Sequence, residues 1–196
     1  MGRRAFIIRS NISENNSNEM KKYLFLFVLL APAAFAQQTV SPCKSQVVLD
    51  YQYEGYIDVF YSVEDDFSFA KIRNNPFDDT CVEVEITGRT EKMFQVNMRV
   101  CLGEYPFRMT DVFIKKENLI ILSRLLNHPM PLYASPSESG AVNLSVNYSH
   151  GYVYRVIDCW GEWLKVSFLD DTGKEHEGWM APRFQCSNVY SACKGM

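Results

Sequence analysis

The side chains of this chain with chemistry to offer are its cysteines, its histidines and its paired aspartates. A thiolate nucleophile needs a reduced Cys held against an oriented His. His128 precedes Pro129, His150 precedes Gly151, and His176 stands between Glu175 and Glu177, so all three read as solvated residues of polar or turn segments. Asp65-Asp66, Asp78-Asp79 and Asp170-Asp171 are adjacent acids, which usually form turns. A glycosidic pair instead requires two carboxyls converging across a cleft. Asp170-Asp171-Thr172-Gly173 lacks the ligand spacing of a calcium loop. No Cys or His spacing matches a zinc pattern, and no Gly-rich phosphate loop or Gly-x-Ser-x-Gly is present. The expectation is a protein without catalytic residues, metal or cofactor.

Cys43, Cys81, Cys101, Cys159, Cys186 and Cys193 all follow Ala36. An even set in an exported chain reads as disulfides. Cys186 and Cys193 are the favoured pair because they close a short loop, while the pairing of Cys43, Cys81, Cys101 and Cys159 stays open. The sequence itself points to export. Met20-Lys21-Lys22 is basic, Tyr23 to Leu30 is apolar, and Ala31-Pro32-Ala33-Ala34-Phe35-Ala36 ends in an Ala-x-Ala site. That order describes a signal peptide over residues 1–36, with the true start at Met20. The apolar run is shorter than the about 20 residues a membrane span needs. A periplasmic or secreted protein is expected, with no integral membrane span. The whole chain carries a formal charge of −3, and cleavage removes more basic than acidic residues. An acidic remainder has no electrostatic footprint for nucleic acid.

Strands and turns must position whatever site exists. Val82-Glu83-Val84-Glu85-Ile86 and Met93 to Val100 alternate apolar and polar around a turn at Thr87-Gly88-Arg89-Thr90, which predicts a hairpin. Tyr152 to Ile157 and Trp163 to Phe168 predict a second hairpin across Asp158-Cys159-Trp160-Gly161-Glu162. Asp170 to Lys174 is a further turn, with Gly173 free to take positive φ. Only Glu117 to Leu126 has room for a turn or two of helix. Short motifs recur in order. Val59-Phe60-Tyr61-Ser62, Met93-Phe94-Gln95-Val96 and Asp111-Val112-Phe113-Ile114 correspond to Pro131-Leu132-Tyr133-Ala134, Trp163-Leu164-Lys165-Val166 and Glu177-Gly178-Trp179-Met180. The expectation is two small β units meeting near Asn127-His128-Pro129, stapled by disulfides and packed into one body.

From Met130 to Cys193 the chain resembles the exported bacterial SH3 domain. The resemblance is carried by Leu132-Tyr133-Ala134-Ser135-Pro136-Ser137, Gly161-Glu162-Trp163-Leu164-Lys165-Val166, Glu177-Gly178-Trp179-Met180 and the closing Gln185-Cys186 with Cys193. The first half looks like a degenerate copy, with Val112-Phe113 where the later half has Gly178-Trp179. The resemblance implies an all-β chain of two tandem SH3-like barrels after the leader. Residues 37–127 would form the degenerate unit with its N-terminal extension, and residues 128–196 the second barrel. It also implies recognition rather than catalysis, of cell-wall peptide or a periplasmic protein.

Aromatic-lined grooves bind extended ligands, and exposed Trp and Tyr make good anchors. Tyr133, Tyr154, Trp160 and Trp179 are therefore the candidate ligand-binding residues. The strand patterns also make Trp163 and Trp179 candidates for packing, whereas Trp160 falls in a turn. The leading expectation is an exported binding module acting through its C-terminal half. The alternative is an inhibitor or immunity-type protein that blocks a periplasmic enzyme.

Overall fold

The computed structural model describes residues 40–74, 81–102, 105–147, 152–188 and 193. The leader with its start at Met20, Asp78-Asp79, Tyr148 and His150 lie outside the described residues. From Gln38 onward the chain forms one compact unit. Its regular elements among the described residues are β-strands and short 3-10 turns, so the all-β class holds.

The first predicted hairpin is β4 (Cys81–Arg89) with β5 (Met93–Leu102). Its alternation is realised as written, because Val84, Ile86, Val96 and Met98 are buried while Glu83 and Arg99 bridge on the solvent side at 3.2 Å. The turn falls slightly later than the Gly88 pattern suggests. Strand pairing carries on through Arg89, and the Thr90 hydroxyl and Met93 backbone close the reversal. β6 (Tyr105–Lys115) extends this sheet, and a 3-10 turn follows at Lys116–Asn118.

Of Glu117 to Leu126, which had room for a turn or two of helix, Glu117 and Asn118 lie in the 3-10 turn and β7 (Leu119–Ser123) takes the next five residues. Leu119, Ile120 and Ile121 are almost wholly buried, and a continuous apolar run of this length suits a strand covered on both faces. Strand β7 pairs β1 (Ser41–Leu49) and β13 (Gln185–Cys186) along one edge and β10 (Val153–Trp160) along the other. One antiparallel sheet therefore runs from β6 through β5, β4, β1, β7 and β10 to β11 (Trp163–Leu169), β12 (Glu175–Met180), β8 (Met130–Tyr133) and β9 (Val142–Val146). A separate hairpin joins β2 (Gly55–Val59) to β3 (Ala70–Asn74).

This differs from the expectation of two barrels. No barrel closes among the described residues; a large antiparallel sheet and a small one stand in their place. The physical reason is β7, whose two hydrogen-bonding edges are both used, so that the sheet continues from one half into the other. A single apolar core draws on Val84, Phe94 and Ile114 from the first half and on Tyr154, Leu164 and Met180 from the second. Each such side chain, fully buried, contributes about 1.5–3 kcal/mol.

The two halves nevertheless repeat one order: hairpin, third strand, 3-10 turn, final strand. In the first, Phe94 faces Ile114, Gln95 faces Phe113 and Val96 faces Val112. In the second, Leu164 faces Met180, Lys165 faces Trp179 and Val166 faces Gly178. The second 3-10 turn is Pro182–Phe184. One motif shifts by a residue, because Phe60 bridges Phe113 as Tyr133 bridges Trp179, so that Phe60 rather than Tyr61 corresponds to Tyr133.

Among the described residues two disulfides are formed, Cys186–Cys193 as expected and Cys43–Cys159, which ties β1 to β10 across a sequence separation of 116. No helix among the described residues is long and apolar enough to cross a membrane.

Candidate functional site

The β10–β11 hairpin reverses through Gly161-Glu162, with Gly161 at φ 56°. Glycine, without a Cβ, takes this left-handed conformation at no steric cost. The tip is fastened from outside by β1. Lys44 N–H donates to the Gly161 carbonyl at 2.8 Å, the Ser45 hydroxyl donates to the Glu162 carbonyl at 3.0 Å, and Cys43 is bonded to Cys159. The segment from Asp158, expected as a tight connection, continues the strand as far as Trp160 and turns only at Gly161-Glu162.

Directly opposed residues of a ladder share a face, as do residues two apart along a strand. Trp160 opposes Trp163, Asp158 opposes Lys165, Lys165 opposes Trp179, and Trp179 opposes Tyr133. Trp160, Trp163, Tyr133 and Trp179 therefore lie on one face of the sheet. The Tyr133 and Trp163 rings meet edge to face with centroids 5.5 Å apart. Tyr133 is buried, and Arg183 donates to its hydroxyl at 3.2 Å. Arg183 in turn pairs with Glu138. Trp163 and Trp179 are half-buried against the core, while Trp160 is 57% exposed. Lys165 crosses the face to Glu177 at 2.9 Å.

Three of the four aromatics singled out from sequence thus share this face. Tyr154 does not; it is fully buried and offers a ligand no surface in this conformation. It alternates with Val156 on the inner side of β10, where its ring packs on Tyr152 and Phe168. Burial pushes its hydroxyl pKa well above the ordinary value.

Strand β10 carries a bulge between Val156 and Asp158. Bulges re-aim side chains. Here the half-buried Asp158 receives Arg89 at 2.6 Å and Lys116 at 3.3 Å. The Arg89 guanidinium sits 5.8 Å from the centre of the Trp160 ring, a cation–π contact. Lys116 also lies 5.1 Å from the Phe94 ring centre. The chain of contacts leads from Trp160 to an open groove of about 520 Å³. Lining it are Glu91, Lys92 and Met93 from the β4–β5 turn, Lys115, Lys116 and Glu117 at the first 3-10 turn, and Arg155 and Ile157 from β10. Sequence reasoning missed the groove. The adjacent Lys115-Lys116 pair was its one local signal.

The described histidines and Asp170 do not line this groove. His128 is exposed. His176 is half-buried, 2.8 Å from Asp170 and stacked on Phe168. The Asp170 carboxylate is occupied by its own turn, accepting the Thr172 hydroxyl at 2.6 Å and the N–H groups of Thr172 and Lys174. Among the described residues, no group of three or more His, Cys, Asp or Glu converges to hold a metal ion.

A second aromatic surface, also missed, lies on the β2–β3 hairpin. Tyr61 and Phe69 stack with centroids 3.6 Å apart, Tyr56 is exposed, and Phe67 is 87% exposed. Compared with known proteins, the chain matches no family model, and no curated protein or solved structure is significantly similar to it.

Proposed function

We propose that this chain is an exported, non-catalytic binding module that holds an extended peptide, such as that of the cell wall, along the Trp160–Trp163–Trp179 face. The observation that carries this reading is the alignment of four aromatics on one sheet face, with Trp160 left exposed at a disulfide-braced hairpin tip. A surface held rigid before binding loses little freedom on binding. Exposed Trp over a polar rim of Arg89, Lys165 and Glu177 suits a peptide with alternating contacts. The order of β10, β11, β12, 3-10 turn and β13 supports the SH3-like reading of residues 128–196, and the matching register in β5–β6 supports a degenerate copy in residues 37–127.

Retention on purified peptidoglycan tests the proposal. Wild type should be retained, and Trp160→Ala should weaken retention by about thirtyfold, the loss for a binding hot spot of about 2 kcal/mol. Equal retention of the two proteins, or none of wild type, would remove the reading.

The exposed Tyr56, Tyr61 and Phe67 favour a second reading, in which the β2–β3 hairpin contacts a protein. An inhibitor or immunity-type protein would form a tight one-to-one complex with a periplasmic enzyme, lost in a Tyr61→Ser/Phe67→Ser variant, and would not be retained on the wall.

A further inference from the structure

We infer that the groove beside the aromatic face takes the carboxylate groups of a peptide ligand. The inference rests on the reading of that face as a peptide surface and adds the chemistry of the ligand's charged end. The whole chain is acidic, with a formal charge of −3, yet four cations and two acids line this groove. Lys116 is fixed by Asp158, while Lys92, Lys115 and Arg155 enter no salt bridge among the described residues. Lys115 also acts at a distance on Asp58, whose carboxylate is engaged by Ser68 and Lys71. Three cations facing one concavity repel each other and gain from an anion placed between them. Arg155 offers the planar fork that receives a carboxylate through two N–H groups.

The rest of the lining narrows the class. Met93 and Ile157 supply apolar surface, and the volume of about 520 Å³ suits a small ligand or a few residues of peptide. Glu91 and Glu117 oppose a polyanion, because a phosphate backbone would bring further negative charge against both. A short chain with carboxylates at the cations and an ammonium or amide N–H toward the acids meets every group. Lys116 joins this groove to Asp158, Asp158 holds Arg89, and Arg89 lies over Trp160, so one extended ligand reaches both regions.

The test uses purified peptidoglycan and the same material with its free carboxylates converted to amides. The full exported chain and its Lys92→Gln/Arg155→Gln variant are assayed for retention on both. Both substituted positions are exposed, so the variant keeps the core intact. Native wall should retain wild type. Amidation, and separately the double variant, should each weaken retention about fivefold or more, the equivalent of about 1 kcal/mol for an exposed ion pair. Equal retention of wild type on native and amidated wall would overturn the carboxylate inference and leave peptide binding standing. So would a double variant that behaves as wild type on native wall. No retention on either material would remove the peptide-surface reading itself, and this inference with it.

Discussion

Removing the Cys43–Cys159 bond should destabilise the protein far more than removing Cys186–Cys193. A cross-link restricts the unfolded chain by an amount that grows with the loop it closes. The separations are 116 and 7 residues. The loop-closure relation converts these to about 4.8 and about 2.4 kcal/mol. For a domain of this size those losses correspond to falls in Tm of about 10–20 °C and about 5–10 °C. Cys43, Cys159 and Cys186 are all buried, so lost packing adds to both variants and tends to cancel in the comparison. The assay is urea unfolding of oxidised Cys43→Ala/Cys159→Ala and Cys186→Ala/Cys193→Ala proteins, followed by tryptophan emission. The long bond also fixes the hairpin tip beside Trp160, so its loss should weaken wall retention under conditions where the variant is still folded. A difference in stability below about 1 kcal/mol between the two variants would refute the loop argument. Unchanged retention would refute the role of the bond in holding the site.

Three further outcomes are expected. A Cβ at Gly178 would meet the Leu132 Cβ at 2.7 Å, so Gly178→Ala should cost about 1–3 kcal/mol in thermal unfolding, and a variant as stable as wild type would show that β8 does not pack as described. The Thr172 hydroxyl, His176 and the turn N–H groups hold the Asp170 carboxyl well below the usual range; its stabilisation is therefore present above about pH 4 and is lost as pH falls through the folded value. Carboxyl NMR should find its midpoint low and raised by Thr172→Val, and an ordinary midpoint in wild type would contradict the turn geometry. Cys81 stands opposite Cys101 in the β4–β5 ladder, where Cα atoms are about 4.5–5.5 Å apart, within disulfide reach. Alkylation of the unfolded, oxidised protein should therefore find no free thiol, and two free thiols would disprove the third bond.

The strand pattern was legible where one face is wet. Val82 to Ile86 and Met93 to Val100 alternate because Glu83, Glu85 and Arg99 must reach water. The same logic failed at Leu119 to Leu122, which is apolar at every position because both faces of β7 are covered. Without a period, length and neighbours decide, and the preceding Lys116-Glu117-Asn118 supplied a helical turn that stops after three residues. That one strand also decides the architecture. A pattern of local motifs specifies two similar halves, but not that β7 lends its edges to both, because edge pairing is a long-range choice.

The site divides along the same line. Trp160, Trp179 and Tyr133 were readable because residue type and nearby turns mark them, and the ladder register brings them to one face. Tyr154 has the same chemistry, yet alternation with Val156 turns it inward. Arg89 and Lys116 meet Asp158 from 69 and 42 positions away, and no local spacing announces that meeting. The bulge at Val156/Asp158 matters here. Without it, Asp158 would keep the parity of Tyr154 and Val156 and point into the core, where an uncompensated carboxylate is costly. With it, Asp158 turns to the half-exposed side and receives two cations. The bulge therefore ties the cationic groove, through Lys116 and Asp158, to Arg89 beside the exposed tryptophan.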